Sequence, residues 1–265
     1  VRTEYALTGS FVEGTGRGHA EAIYAHAAIG ADAPAADIED LVHTAVAASP
    51  AFDMITRPLE NTFALYVNGR RHAAVRLPAS TAEAPMDPFL KYAEPPAPLE
   101  NPRDLGGLIV KTTAKVDGQP SALGSTPSPG GRVTWSVMGQ GDADVVAGTY
   151  RCRVALDRPG TTHFAYVTDE SGGDRAPSGL ALLSAGVAFC YMTQISRYIE
   201  AMKLPVNGIR LVQLSPYGIG GDRRGVSEPC DTHLFMQGQA DAETFERLQQ
   251  VAATTCYLHQ TMAVP

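Results

Sequence analysis

The chain has 265 residues, 44% of them hydrophobic, so it is long enough to bury a substantial core without disulfide support. Its net charge of -7 argues against a general nucleic-acid surface or an anionic membrane surface, because phosphate contacts need clustered lysine and arginine. We therefore expect a globular protein with neither nucleic acid nor membrane as a partner.

The four cysteines, Cys152, Cys190, Cys230 and Cys256, lie far apart and form no CxxC pair. This spacing is typical of reduced intracellular thiols rather than of a secreted disulfide framework or a zinc site. The sequence begins VRTEYALTG, without the basic and apolar regions of a signal peptide. We expect a cytoplasmic protein with no metal and no bound cofactor.

A long helix is predicted from Ala176 to Lys203, with Cys190 at its centre. No charged residue occurs from Gly179 to Ser196, and the apolar side chains fall on all sides of a helical wheel. This pattern predicts a helix that is buried all round. The run is barely long enough to span a membrane and contains several polar residues, which favours a buried helix in a soluble fold.

A second helical stretch runs from Asp241 to Met262. One face of it carries apolar residues at helical spacing: Phe245, Leu248, Val251, Ala252 and Cys256. Each of the two core helices therefore offers one inward-facing cysteine.

The remaining sequence divides into three regions by its pattern. Residues 1 to 75 predict strands, a helix at about 36 to 48 and a hairpin at Asn68-Gly69. Residues 76 to 103 are rich in proline and alanine and are predicted to be a linker. Residues 104 to 265 predict a group of strands followed by the Cys190 helix, further strands and the Cys256 helix.

Residues 1 to 75 resemble part of the region from 104 to 265. At an offset of 207, Ile38-Glu-Asp-Leu41 aligns with Phe245-Glu-Arg-Leu248, and Ser49 aligns with Cys256. The pattern predicts a partial internal duplication, the alternative being chance similarity between two strand-turn-helix segments.

The segment from Thr168 to Cys190 resembles the OsmC/Ohr family, osmotically inducible protein C and organic hydroperoxide resistance protein. It is similar to the family's acidic Gly-Gly segment and to its leucine-rich helix, whose cysteine lies thirteen residues after a proline, as Cys190 does after Pro177. The segment around Cys256 and His259 is similar to the family's second-cysteine helix. Residues 1 to 75 resemble a degenerate half-unit, with Ser49 at the cysteine position.

The resemblance implies an α+β fold in which a curved antiparallel sheet wraps around the long buried cysteine helix. The partial second copy would then form a pseudo-dimer with the complete unit, and a homodimer or larger homo-oligomer is implied. In family members that act on peroxides, the first cysteine attacks the O–O bond and the second forms a disulfide with it. A dithiol then reduces the disulfide.

Two features depart from the family pattern. Ala181 stands nine residues before Cys190, where the family usually carries a glutamate. The family arginine that holds the thiolate has no unambiguous counterpart here. Because burial raises the pKa of a thiol, a reactive Cys190 needs a cationic or hydrogen-bonding partner, and we expect an arginine such as Arg153 or Arg132.

Three functions remain open from the sequence. The first is reduction of organic hydroperoxides by the Cys190/Cys256 pair. The second is hydrolase or lyase chemistry on a small apolar or cyclic substrate, because His259 follows Cys256 by three residues and lies on the same helix face. The third is a non-catalytic ligand-binding protein whose cysteines only pack in the core. Candidate substrate-binding side chains are Phe189, Tyr191 and Trp135.

Overall fold

The computed structural model describes residues 1–94, 107–113, 133–144, 148–156, 162–173 and 175–264. Twelve strands are assigned in these ranges: β1 Arg2–Thr8, β2 Arg17–Ala20, β3 Thr62–Val67, β4 Arg70–His72, β5 Ile109–Thr113, β6 Val133–Asp144, β7 Thr149–Leu156, β8 Thr162–Asp169, β9 Val206–Leu214, β10 Tyr217–Ile219, β11 Gly225–Ser227 and β12 Asp231–Gly238. Six helices are assigned there as well: α1 Ala35–Ala47, α2 Pro50–Thr56, α3 Pro88–Lys91, α4 Gly179–Met202, α5 Ala242–Thr255 and α6 Tyr257–Ala263.

The strands form open sheets rather than one continuous antiparallel sheet. A six-stranded antiparallel sheet has the order β2-β1-β6-β7-β8-β5, and a four-stranded sheet has the order β4-β3-β12-β9. Within the second sheet, β12 pairs with β3 in parallel, with Leu234 opposite Leu65. The expectation of a single antiparallel sheet was wrong, because alternation of apolar residues fixes a strand's faces but not its partner or direction.

Residues 1–75 contribute strands to both large sheets. β1 pairs with β6, and β3 pairs with β12, so strands far apart in sequence share each sheet. The predicted linker includes a short segment around Ser80 that forms a bridge with β3 and lies beside it. The rest of that predicted linker beyond residue 94 lies outside the described residues.

The helix α4 begins and ends where the sequence predicts. The Ser178 hydroxyl accepts a hydrogen bond from the Ala181 amide, which caps the first turn, and Lys203 adopts a left-handed conformation (φ 51°) immediately after the last turn. One face packs on α5 and the four-stranded sheet through its buried residues: Val187, Tyr191, Gln194, Ile195 and Tyr198.

The prediction that α4 is buried all round was wrong. Phe189 is 68% exposed, and Ala181 is exposed as well. Uniform apolarity gave no sign of which face would be covered, because that depends on where the sheets lie. In this structure α4 rests on the four-stranded sheet, and its opposite side faces solvent.

The C-terminal helical stretch is divided into two helices at Cys256. The predicted apolar face is confirmed, since Phe245, Leu248, Val251 and Ala252 are all buried. Cys256 itself has extended backbone angles (φ -72°, ψ 110°), so α5 ends before it and α6 begins after it. Just before the break, the Thr255 hydroxyl donates to the Val251 carbonyl at 2.7 Å, a contact typical of threonines that weaken a helix.

Candidate functional site

The break at Cys256 brings the two predicted cysteines together. Cys190 lies near the middle of α4 and is partly buried, whereas Cys256 is fully buried between α5 and α6. Cys190 and Cys256 are neighbours close enough for each thiol to shift the pKa of the other. The break also leaves the first backbone amides of α6 without helical acceptors, and those of Tyr257 and Leu258 are directed at the Cys190 sulfur.

These contacts lower the pKa of Cys190. The hydrogen bond from the Cys256 thiol is the main cause, and the amides of Leu258 and Tyr257 act in the same direction, while burial opposes them. A thiol with a lowered pKa has more of its reactive thiolate form at neutral pH. Of the two thiols, Cys190 is therefore the one with more thiolate character at neutral pH.

The pKa of Cys256 moves in the opposite direction. Burial raises it well above the usual value, and the neighbouring Cys190 sulfur raises it further, while the amides of His259 and Leu258 act against both. Cys256 thus stays protonated at neutral pH and serves as the hydrogen-bond donor to Cys190. The pKa values of the two neighbouring thiols are therefore shifted in opposite directions.

His259 contacts the buried Cys256 thiol. Its Nδ1 lies 3.1 Å from Cys256 Sγ, and its Nε2 lies 3.4 Å from Thr232 Oγ1 on β12. The imidazole also packs against the rings of Phe63 and Tyr191. Burial lowers the pKa of His259 to about 4, so the imidazole is neutral at physiological pH.

Two tyrosines complete the surroundings of the thiol pair. Tyr5 of β1 and Tyr257 have ring centroids 5.6 Å apart. Burial raises the pKa of Tyr5 to about 12, and negative charge on Cys190 and Cys256 would raise it in the same direction. Sequence reasoning missed Tyr5, because it reaches the site only through the pairing of β1 with β2, which in turn packs on α6.

The predicted arginines occupy less central positions. Arg153 is on β7 with an exposed side chain, and Arg132 lies outside the described residues. Arg197 was not predicted, yet it lies seven residues after Cys190 on α4; burial raises the pKa of Tyr257, and the charge of Arg197 partly offsets that rise. Its guanidinium stands 5.2 Å from the Phe11 ring. The two-turn spacing from Cys190 was the signal that could have identified it.

The three predicted substrate-binding residues are in different environments. Phe189 is exposed beside Cys190, whereas Tyr191 is fully buried, and its hydroxyl donates to the Gln249 carbonyl at 3.4 Å. Trp135 is on β6, where its backbone pairs with Tyr5. Among the described residues no group of three His, Cys, Asp or Glu side chains is placed to hold a metal ion.

The fold and the paired thiols define a class of protein with a long cysteine-bearing helix and a second cysteine at a helix break. Residues 172–265 match the family model for OsmC-like protein, so this region of the chain is similar to OsmC-like proteins. The described residues combine helices with open sheets, which is the α+β content of an OsmC-like fold. No curated protein matches the chain.

Two solved structures have a limited likeness to this one. An OsmC-like protein from Mycoplasma pneumoniae is 13% identical with a TM-score of 0.36, covering 47% of this chain and 84% of that one. A structure described only as "structural genomics" is 14% identical with a TM-score of 0.35, covering 46% of this chain and 86% of the other. At these TM-scores neither likeness bears on function.

The length and mean hydropathy of α4, 24 residues and 1.4, would allow it to cross a membrane. Core helices of soluble proteins meet the same criterion, and the buried face of α4 packs on α5 and the four-stranded sheet. This helix therefore does not indicate a membrane protein.

Proposed function

We propose that the chain is a thiol-dependent peroxidase that reduces organic hydroperoxides, with Cys190 as nucleophile and Cys256 as resolving thiol. The observation that carries the proposal is the asymmetry of the pair: a partly buried Cys190 whose pKa is lowered by a neighbouring thiol that stays protonated. A two-thiol peroxidase requires one reactive thiolate and a second thiol within bonding reach. Exposed Phe189 beside Cys190 suits an apolar substrate.

The proposed reaction has two steps. The Cys190 thiolate attacks one peroxide oxygen, an S–O bond forms as the O–O bond breaks, and the alkoxide leaves and takes a proton to become an alcohol. Cys256 then attacks the sulfur of the sulfenic acid, an S–S bond forms, and the oxygen leaves as water. An external dithiol reduces the disulfide and restores both thiols.

In this proposal the hydrogen-bond donors around Cys190 take the place of the expected arginine. The Cys256 thiol and the Tyr257 and Leu258 amides stabilise the thiolate without a full positive charge. Ala181 has no carboxylate, and this is compatible with the arrangement. A thiolate stabilised by amides does not need an arginine, and so it does not need a glutamate to hold that arginine. Roles for Arg153 and Arg132 in thiolate stabilisation remain predictions.

The experiment uses reduced protein and a bulky organic hydroperoxide, with peroxide loss followed over time and cysteine states assigned by peptide mass spectrometry. We expect stoichiometric consumption and a Cys190–Cys256 disulfide, both abolished by Cys190→Ser. Cys152→Ser is the matched control, because Cys152 lies on β7 and contacts Tyr166 rather than the thiol pair. Unchanged peroxide with both thiols free would refute the peroxidase proposal.

A second candidate function is hydrolysis or lyase action on a small apolar or cyclic substrate. The observation that favours it is the 3.1 Å contact between His259 and Cys256, since a cysteine next to a neutral imidazole is a common arrangement for covalent catalysis. If the protein does not consume peroxide, rapid alkylation of Cys190 near neutral pH would favour this function. Inert thiols would favour a ligand-binding protein without catalytic activity.

We also propose that residues 1–75 are a degenerate copy of part of the 104–265 unit, with residues 76–103 as the linker, so that the two form a pseudo-dimer. Local structure supports the alignment made at an offset of 207. Ser49 caps the seven-residue helix α2 directly after α1, and Cys256 precedes the seven-residue helix α6 directly after α5. The same helix-break-helix pattern therefore occurs at both aligned positions.

The protein is further proposed to act in the cytoplasm as a homodimer, with a small apolar substrate and a dithiol reductant as its other partners. Exposed apolar side chains on α4 and α1 support a second copy as the occupant of these surfaces. Phe189 is 68% exposed and Leu41 is 63% exposed, and α1 has no buried residue. Self-association would cover apolar area that a monomer leaves in water.

A further inference from the structure

The resolving step requires that Cys256 lose its proton. Cys256 is 0% exposed, and no solvent water reaches its sulfur directly. Only a thiolate attacks sulfur efficiently, so a base must stand next to Cys256 inside the core. The proposed function leaves that base unassigned.

His259 is in the position that such a base requires. Its Nδ1 lies 3.1 Å from the Cys256 sulfur, a normal distance for an S–H to nitrogen hydrogen bond. The imidazole is 1% exposed and is held between the rings of Phe63 and Tyr191, with centroids 5.4 and 5.2 Å away. Its contact with the thiol is therefore fixed by packing rather than by a mobile side chain.

Thr232 determines which ring nitrogen can accept a proton. Its hydroxyl lies 3.4 Å from His259 Nε2, and it is itself fully buried, 3.7 Å from the Cys230 sulfur. If Nε2–H donates to the Thr232 oxygen, the threonine hydroxyl hydrogen is left to point to Cys230. Nδ1 then carries the lone pair that faces the Cys256 sulfur, and it can take up the thiol proton once Cys190 is a sulfenic acid and no longer a thiolate acceptor.

We propose that His259 is the general base for the resolving step, and that Thr232 is a positioning residue that holds its tautomer. This inference rests on the proposed two-thiol chemistry. Nδ1 accepts the Cys256 proton as the sulfur attacks the sulfenic sulfur of Cys190. The same proton passes to the departing oxygen, which leaves as water, and His259 returns to its neutral form.

The reaction is balanced without any further reagent. The S–S bond replaces the S–H and S–O bonds, Cys256 is oxidised, and the Cys190 sulfenic acid is reduced. A neutral imidazole suits this transfer because it can hold a proton briefly in the core without carrying a permanent buried charge. The pKa of His259, lowered to about 4 by burial, agrees with that neutral state.

The test measures the attack by Cys256 without any peroxide, using dithiobis(nitrobenzoate) on a Cys152→Ser background. Cys190 reacts first and releases one thionitrobenzoate, and attack by Cys256 on the mixed disulfide releases the second. We expect His259→Asn to leave the first phase within about twofold and to slow the second at least ~100-fold, the usual contribution of a general base. Thr232→Val is expected to slow the second phase about tenfold, and Thr232→Ser to restore it.

Circular dichroism and thermal melting establish that each variant is folded. If His259→Asn is folded and its second phase has the wild-type rate, the proposal is wrong. If His259→Asn does not fold, an unchanged second phase in Thr232→Val would overturn the proposal instead. A single phase in the parent protein would also overturn it. The parent protein could show both phases with dithiobis(nitrobenzoate) and still leave the hydroperoxide unreacted. That result would refute only the peroxidase function, since His259 would still act as the base in disulfide exchange.

Discussion

At the residue scale, burial shifts the pKa values of neighbouring groups in opposite directions. It raises the pKa of Cys256 and lowers that of His259, and both changes favour the neutral form. Cys190 differs because hydrogen bonds from a thiol and two backbone amides outweigh burial. Cys190 thus gains thiolate character beside a thiol and an imidazole that stay neutral.

The buried His259 predicts a specific loss of stability in acid. Its pKa is about 4 in the folded protein against 6.5 for a free histidine, so the unfolded chain binds a proton first as the pH falls. The contribution of His259 to the free energy of unfolding is fully present above pH ~6.5 and is lost progressively as the pH falls toward ~4. Between pH 7.5 and 4.5 we expect a decrease of about 2 to 3 kcal/mol from this residue, measured by urea unfolding.

His259→Asn separates this effect from that of acidic side chains. Hydrogen bonds also lower the pKa values of Asp169 and Asp53, so stability falls in acid for those residues too. Both proteins lose the stability that depends on these aspartates, and only the parent protein also loses the stability that depends on His259. The difference in free energy of unfolding between the parent protein and His259→Asn should therefore decrease by about 2 to 3 kcal/mol between pH 7.5 and pH 4.5. A difference that does not change with pH would contradict the lowered pKa of His259.

At the element scale, the site depends on the close approach of β2 to the break between α5 and α6. A Cβ atom built on Gly18 would lie 2.9 Å from the Thr255 carbonyl oxygen and 3.2 Å from the Tyr257 ring. Glycine at this position lets the strand reach the backbone that carries Cys256. The strand therefore restricts where the α6 amides can stand relative to Cys190.

Gly18→Ala tests this dependence. The methyl group has to displace the segment from Thr255 to Tyr257, which we expect to destabilise the fold by about 1 to 3 kcal/mol. The displaced amides should stabilise the Cys190 thiolate less, so alkylation of Cys190 at pH 7 should become several times slower. Gly30→Ala is the control, because its Cβ meets nothing within 4 Å. Equal alkylation rates in the two variants would show that β2 does not set the site geometry.

At the scale of the whole molecule, one side of α4 is covered by the four-stranded sheet and the other is not. The uncovered side includes Phe189, next to the nucleophile. If a second copy covers this side, the substrate reaches Cys190 at or near a subunit boundary. Oligomeric state and activity would then be linked.

Phe189→Glu is expected to convert the proposed dimer to a monomer, because it places a charge in an apolar contact. Light scattering coupled to size-exclusion chromatography measures the mass directly. Met86→Glu is a matched control: Met86 is 65% exposed but lies between Ser80 and Phe89, which pack on the other face of the four-stranded sheet. A monomeric parent protein, or a Phe189→Glu protein that remains dimeric, would refute this interface.

The sequence by itself determined the elements whose signals are local. The long helix predicted from Ala176 to Lys203 and the apolar face from Phe245 to Ala252 follow from spacing, and both are confirmed, with α4 at Gly179–Met202. The partnership of Cys190 with Cys256, and of Cys256 with His259, was also predictable, from family resemblance and from the three-residue spacing. These features need no knowledge of distant residues.

Tertiary structure alone decided the rest. The parallel pairing of β3 with β12, the one-sided burial of α4 and the arrival of Tyr5 at the site depend on contacts between segments far apart in the chain. The source of thiolate stabilisation differs for the same reason: an arginine was expected, whereas the Cys256 thiol, with the amides of Leu258 and Tyr257, lowers the pKa of Cys190. Helical periodicity cannot reveal the break at Cys256, because the apolar spacing continues through it while the backbone does not.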